Sequence, residues 1–252
     1  MFRAILKRVA PLPKLTAYER YLFVGPHPDD IEVACAPTVL ALTQAGKHVS
    51  FVVLTDGRMG TADPALAGAA LVEIRQKESL ASAKLLGVTD VTFLPFHDGA
   101  MYPVEEAATA IAKEIVRLKP DIVFAPDPNV RSECHLDHIK TGNAVKTSVI
   151  MSPFESIMQS VGGSGCHSMS GLAFYYTDKP NAYVPVKKTF EARKAALLEH
   201  KSQFDEKTID DIVMYFKLRS VRFGLRTLKG LSDGYRVLAP MHMHCFPEAS
   251  EW

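Results

Sequence analysis

No two of the four cysteines, Cys35, Cys134, Cys166 and Cys245, form a CxxC pair. Scattered as they are over 252 residues, they argue against a disulfide scaffold and for a reducing compartment, the cytoplasm. No apolar run approaches the roughly 18 residues that a membrane span needs. The opening stretch, MFRAILKRVAPLPKL, carries basic residues inside its apolar part and has no signal-peptide core. It reads as a surface arm or a subunit contact. No excess of one charge is present either: 29 Lys and Arg face 28 Asp and Glu. Composition therefore gives no electrostatic case for nucleic acid or an anionic membrane as partner. Internal repeats and low-complexity segments are absent as well.

What is present is alternation. YLFVG at 21–25 and VSFVVL at 49–54 are short apolar runs, each closed by turn residues, and read as buried strands. DVTFL at 90–94 and DIVFA at 121–125 read the same way. Between them lie helical stretches. One follows residue 30, with Pro37 in its first turn and Gly46 at its stop. A second runs from Leu71 to Leu86, with Leu71, Ile74, Ala81 and Leu85 on one face. A third opens at Pro103, with Val104, Ala108, Ile111, Ile115 and Leu118 in one stripe. A fourth begins near Leu136 and continues to Met151. Further on, SVGGSGCHSMSG (160–171) reads as a mobile loop, either a lid or a plain surface loop. LAFYY and AYVPV read as strands, and 189–203 and 208–227 as helices. The alternation predicts an α/β fold, Rossmann-like, with a mainly parallel sheet and helices on both faces. The chain is expected to form one domain over 1–252.

A parallel sheet binds ligands beyond the C-terminal ends of its strands, and polar clusters collect at those positions. Pro26-His27-Pro28-Asp29-Asp30 follows the first strand, Thr55-Asp56-Gly57-Arg58 the second, and Asp127 then His135-Leu136-Asp137-His138 the fourth. The first cluster stands where a dinucleotide enzyme would carry GxGxxG, and its carboxylates would repel a pyrophosphate. Adjacent carboxylates beyond a buried strand repel each other, and a divalent cation removes that cost. His27 and Asp30 are three apart, so a tight turn can aim both at one point. Asp29 is left beside the ion, placed to act as general base. His135 and His138, also three apart, can supply the third ligand. Two imidazoles and one carboxylate, with a position left for water, make a catalytic zinc arrangement. The same set would accept ferrous iron or cobalt.

These segments resemble the LmbE-like, PIG-L-type deacetylase family, which carries an HPDD segment after its first strand and HxDH after a later one. TDGRMGT (55–61), IRQKE (74–78) and LLGVTDV (85–91) resemble its connecting blocks. FAPDP (124–128), YYTDKPNAY (175–183) and HKSQF (200–204) resemble more narrowly its diacetylchitobiose deacetylase branch. The sequence departs from the usual pattern at Ala36-Pro37, where glycines are common, and at Leu136, where proline is frequent. The resemblance implies a zinc-dependent hydrolase that takes the acetyl group from an N-acetylglucosamine unit. It implies His27, Asp30 and His138 as zinc ligands, Asp29 as general base and His135 as oxyanion stabiliser. Arg75, Asp98 and His244 would contact the sugar. It also implies a homo-oligomer, a trimer or hexamer. A glucosamine–malate conjugate is the alternative substrate. A non-catalytic sugar- or metal-binding protein is the alternative class, although such a protein would be expected to have lost the base at 29.

Overall fold

The structure, a computed structural model, describes residues 8–251; the first seven residues and Trp252 lie outside it. Its strands are β1 (Arg20–Gly25), β2 (His48–Thr55), β3 (Asp90–Phe96), β4 (Ile122–Pro126), β5 (Gly171–Tyr175), β6 (Ala182–Pro185) and β7 (Ser232–Leu238). Its helices are α1 (Asp30–Gln44), α2 (Ala69–Leu85), α3 (Val104–Leu118), α4 (Leu136–Met151), α5 (Glu155–Ser160), α6 (Ala192–Leu197) and α7 (Glu206–Thr227). The strands form one sheet in the order β3-β2-β1-β4-β5-β7-β6. The first five in that order run parallel. β7 pairs antiparallel with β5, and β6 antiparallel with β7.

Strand side chains alternate between faces, so each central strand feeds two cores. Tyr21, Phe23, Phe51 and Phe124 point to the face covered by Ile31, Cys35 and Val39 of α1. Phe23 and Phe124 stack there with ring centroids 4.2 Å apart. Leu22, Val24, Val52 and Val123 point to the other face, under Ile111 and Ile115 of α3 and Val145 of α4. Burial on both faces explains why these strands read as unbroken apolar runs. β1 has β2 on one side and β4 on the other. The order of connection reverses there, and a crevice opens above the C-terminal ends of β1 and β4.

Several expectations need correction. Pro37 lies inside α1, not in its first turn, because the helix already begins at Asp30. The missing N–H leaves the Val33 carbonyl without its helical partner. Arg193, from α6, donates its Nε to that oxygen at 2.8 Å. On α2 the buried residues are Leu71, Arg75, Ser79, Ser82 and Ala83, while Ile74 and Leu85 are exposed. Of this inward polar face, Arg75 reaches the crevice. The helix expected over 189–203 is confined to Ala192–Leu197, with turns on either side. β7 has no apolar pattern in the sequence, because its buried Asp233 and Arg236 mask it. The 160–171 segment leads into the N-terminal end of β5, the rim opposite the crevice, so it is no lid over the strand C-termini. Residues Ala10 and Leu15 are buried against the body of the protein, so this part of the N-terminal stretch is not a free arm.

Candidate metal centre and active site

β1 ends at Gly25, and the chain turns tightly through Pro26–Asp29 into α1. The His27 backbone N–H donates to Asp30 Oδ2 at 3.0 Å, and the His27 imidazole Nδ1 stands 2.9 Å from the same oxygen. The three-residue spacing thus folds His27 and Asp30 onto one point. From the other side of the crevice, at the start of α4, His138 Nε2 comes within 3.3 Å of Asp30 Oδ1. Ligands on one tetrahedral zinc, with bonds of about 2.0–2.2 Å, stand roughly 3.4 Å from each other. His27, Asp30 and His138 have the donor chemistry and spacing for one ion.

The outer nitrogens of both imidazoles face carboxylates, as metal-binding histidines usually do. His138 Nδ1 is 3.1 Å from Glu133 Oε2. His27 Nε2 is 3.4 Å from Asp98 Oδ1 and 3.5 Å from Asp137 Oδ2. Burial alone would lower the His27 pKa, but Asp137, Asp30 and Asp98 outweigh it and push the imidazole up to about 12. Burial would raise the Asp30 pKa, but His138 and His27 hold it well below the usual carboxylate range. Such a pocket demands positive charge at its centre, and a divalent cation meets that demand. His27, His135 and Asp137 form a second cluster of donor atoms. Asp137 is less available to an ion, since its oxygens accept N–H bonds from Gly99 and Ala100 at 3.1 and 2.9 Å. The first triad fits better.

Asp29 lies beside the triad. Its Oδ2 accepts from Arg75 Nη2 at 3.0 Å. Burial and the neighbouring Asp30 raise its pKa, and Arg75 opposes them. Arg75 reaches Asp29 from the buried face of α2, and its Nη1 donates to the Gly57 carbonyl at 2.9 Å. Gly57 has φ +66, and a Cβ there would come within 2.5 Å of Nη1, so glycine is required for this approach. Glu78, one turn on from Arg75, accepts from the Ser202 N–H and hydroxyl. Asp98 is presented by the turn after β3. That turn is braced by Asp56, whose carboxylate takes Arg58 Nε at 2.8 Å, stands 3.0 Å from His97 Nδ1 and accepts the Asp98 N–H at 3.3 Å. Asp98 Oδ2 accepts the Met59 N–H at 3.1 Å.

His135 is half exposed at the mouth. Its ring stacks on His138 at 4.8 Å and meets His27 edge-on at 4.7 Å. Burial, then the charges of His27 and His138, lower its pKa, which favours the neutral imidazole. His27, Asp29, Asp30, Arg75, Asp98, His135 and His138 therefore gather at one rim. Within the chain, His244 does not join them. It follows β7, whose C-terminal end pairs with the N-terminal end of β5 at the opposite rim, and its Nε2 lies 3.3 Å from Cys245 Sγ.

Three further residues belong to the site. Asp137, between the two histidines of HLDH, holds the 99–100 turn and faces His27. Glu133 orients His138. Tyr176 stacks its ring on His138 at 5.8 Å and donates its hydroxyl to the Asp30 carbonyl at 3.3 Å. Tyr176 has φ 56, a left-handed conformation at the end of β5 that swings its ring over the crevice. Asp137 and Tyr176 each lie inside a quoted segment, HLDH and YYTDKPNAY, while Glu133 lies in none. A larger hollow of about 650 Å³, between α4 and β5–β7, contains none of these residues.

A doubly wound sheet with an ion-ready triad at its switch point, and a separate buried carboxylate beside it, defines a metal-assisted hydrolase. Residues 22–149 match the family described as PIG-L: GlcNAc-PI de-N-acetylase. The diacetylchitobiose deacetylase of Thermococcus kodakarensis is 31% identical over 233 residues, covering 92% of this chain and 87% of that protein. A probable N-acetyl-alpha-D-glucosaminyl L-malate deacetylase 2 of Bacillus anthracis is 30% identical over 196 residues, 75% of this chain and 83% of that one. The N,N'-diacetylchitobiose deacetylase from Pyrococcus horikoshii, solved with its inhibitor MPG, superposes with a TM-score of 0.90 at 30% identity, covering 100% and 96% of the two chains. The chain belongs to the PIG-L de-N-acetylase family.

Proposed function

We propose that this protein is a zinc-dependent deacetylase of N-acetylglucosamine in diacetylchitobiose or a closely related N-acetyl amino sugar, with the whole chain as one domain. The observation that carries the proposal is the convergence of His27, Asp30 and His138, with Asp29 alongside but outside the triad. Zinc in that triad would supply the Lewis acidity that acidifies water and polarises the acetyl carbonyl. Asp29 accepts the proton of the attacking water and returns it to the sugar nitrogen as the C–N bond breaks. Arg75 fixes the Asp29 carboxylate for that exchange. His135, at the mouth, donates a hydrogen bond to the carbonyl oxygen as charge develops on it. Asp98 and Asp137 hold His27, and Asp98 also offers an acceptor to a sugar hydroxyl. The products are acetate and the free amino sugar.

A reducing, cytoplasmic setting is supported by three exposed unpaired cysteines, Cys134, Cys166 and Cys245. Among the described residues, no helix is long and apolar enough to cross a membrane. A homo-oligomer is supported by exposed Met214, Leu218, Val221 and Leu225, spaced as one stripe along α7. The functional test is acetate release by zinc-loaded enzyme from diacetylchitobiose, N-acetylglucosamine and the N-acetylglucosaminyl-malate conjugate. The proposal expects diacetylchitobiose to be turned over fastest. Faster turnover of the malate conjugate would move the assignment to that substrate, and no acetate from any of them would refute it.

A further inference from the structure

Beside the triad, the crevice continues as a hollow of about 230 Å³, open to solvent. His138 and Glu133 form the wall nearest the triad, Tyr176 contributes the ring that stacks on His138, and Tyr215 and Arg219 of α7 close the far side. The volume is below the ~300–1,000 Å³ of sites that enclose a drug-sized ligand. It suits one ring with an edge left in water.

We infer that this hollow is the subsite for the second pyranose of a disaccharide substrate, with Tyr215 as its stacking platform. The inference rests on the amino-sugar reading above and adds to it the place and the residues that hold the neighbouring sugar ring. A pyranose has apolar C–H faces and a rim of hydroxyls. Tyr215 answers the first: it is 54% exposed and lines the hollow, so its ring is open to a C–H face. Its position is set in advance. Arg219 Nη1 donates to the Tyr215 hydroxyl at 3.1 Å, while Nη2 donates to the Thr177 carbonyl at 3.0 Å and so ties α7 to the segment after β5. The guanidinium carbon lies 5.7 Å from the Tyr215 ring centre and 5.4 Å from that of Phe223. A platform held this way loses little freedom on binding. Ser132 and Glu133 answer the hydroxyl rim with a hydroxyl and a carboxylate.

The same residues discriminate against an anionic neighbour. A dicarboxylate such as malate, attached to the reacting sugar, would meet the Glu133 carboxylate. Arg219, the arginine that lines the hollow, already donates to Tyr215 and Thr177. A neutral ring meets neither obstacle.

The test compares kcat/KM on diacetylchitobiose and on N-acetylglucosamine for the wild-type enzyme and for Tyr215→Ser and Tyr215→Phe. The subsite predicts that the wild-type enzyme prefers the disaccharide, and that Tyr215→Ser lowers the disaccharide-to-monosaccharide ratio about tenfold. Tyr215→Phe, which keeps the platform, should restore most of that ratio. Equal losses on both sugars, or no loss, would overturn the inference. Calorimetry of diacetylchitobiose binding gives a readout independent of turnover. If the wild-type enzyme hydrolyses neither sugar, the deacetylase reading fails. Disaccharide binding that is equally tight in wild type and Tyr215→Ser would then overturn the subsite as well.

Discussion

Glu133 Oε2 lies 3.1 Å from His138 Nδ1, on the side of the ring away from Asp30, and Glu133 Oε1 accepts the His135 N–H at 2.8 Å. One carboxylate therefore sets both the tautomer of His138 and the entry of the chain into α4. Removing such an outer partner typically costs 10–100-fold in metal affinity. Glu133→Ala is expected to weaken zinc binding by about that factor, measured by competition with a chromophoric chelator, with the folded content unchanged by circular dichroism. Unaltered zinc affinity would remove Glu133 from the site.

Asp29 has a different dependence. It is outside the triad, and Arg75 holds it. Asp29→Asn should lower kcat by about 10²–10⁴-fold, the usual range for a lost general base, while the zinc content per chain stays at the wild-type level. Loss of zinc together with activity would instead make Asp29 a ligand.

Pro37 and Arg193 form a compensating pair. Arg193 is fully buried, donates to the Val33 carbonyl that Pro37 leaves open, and faces buried Asp233 at 3.4 Å. Taking away one member of a buried ion pair costs about 3–5 kcal/mol, so Arg193→Met should lose stability of that order in urea unfolding. In the double variant with Pro37→Ala, the new N–H reaches Val33 and should recover about 1 kcal/mol. Strict additivity of the two substitutions would contradict the pairing.

His200 gives the stability a pH dependence. Burial alone would lower its pKa; Glu32, whose Oε1 is 3.4 Å away, with Asp29 and Glu78 further off, outweighs burial and raises it. A folded-state pKa above the unfolded value of about 6.5 means the proton is held more tightly in the folded protein. The stabilisation is fully present below about pH 6.5 and fades as pH rises through the raised value. The melting-temperature advantage of wild type over His200→Gln should therefore be largest near pH 6 and shrink toward alkaline pH. An advantage that grows with pH would refute this.

The legible part of this protein was what short spacing encodes. HPDD and HLDH pointed to one meeting place because three-residue separations fix side-chain direction locally, and the alternation of strands and helices placed both at one rim, where His27, Asp30 and His138 come together. What sequence hid depended on distant partners. Arg75 was expected to contact the sugar; it is buried and reaches Asp29 between Gly57 and Gly60, a tertiary fact that no local spacing encodes. Tyr176 meets His138 from a left-handed position at the end of β5, which no sequence pattern announces. β7 was hidden because Asp233 and Arg236 are buried by partners elsewhere in the chain. His244 was assigned by likeness alone, and topology places its segment beyond the opposite end of the sheet from the triad.

The central claim is that one ion joins two segments over a hundred residues apart. Anomalous scattering at the zinc edge from crystals of the zinc-loaded enzyme tests it most directly. A single peak within bonding distance of His27, Asp30 and His138, with Asp29 outside its coordination shell, is the expected result. A peak that omits either His27 or His138, or zinc held only at another site, would contradict the account.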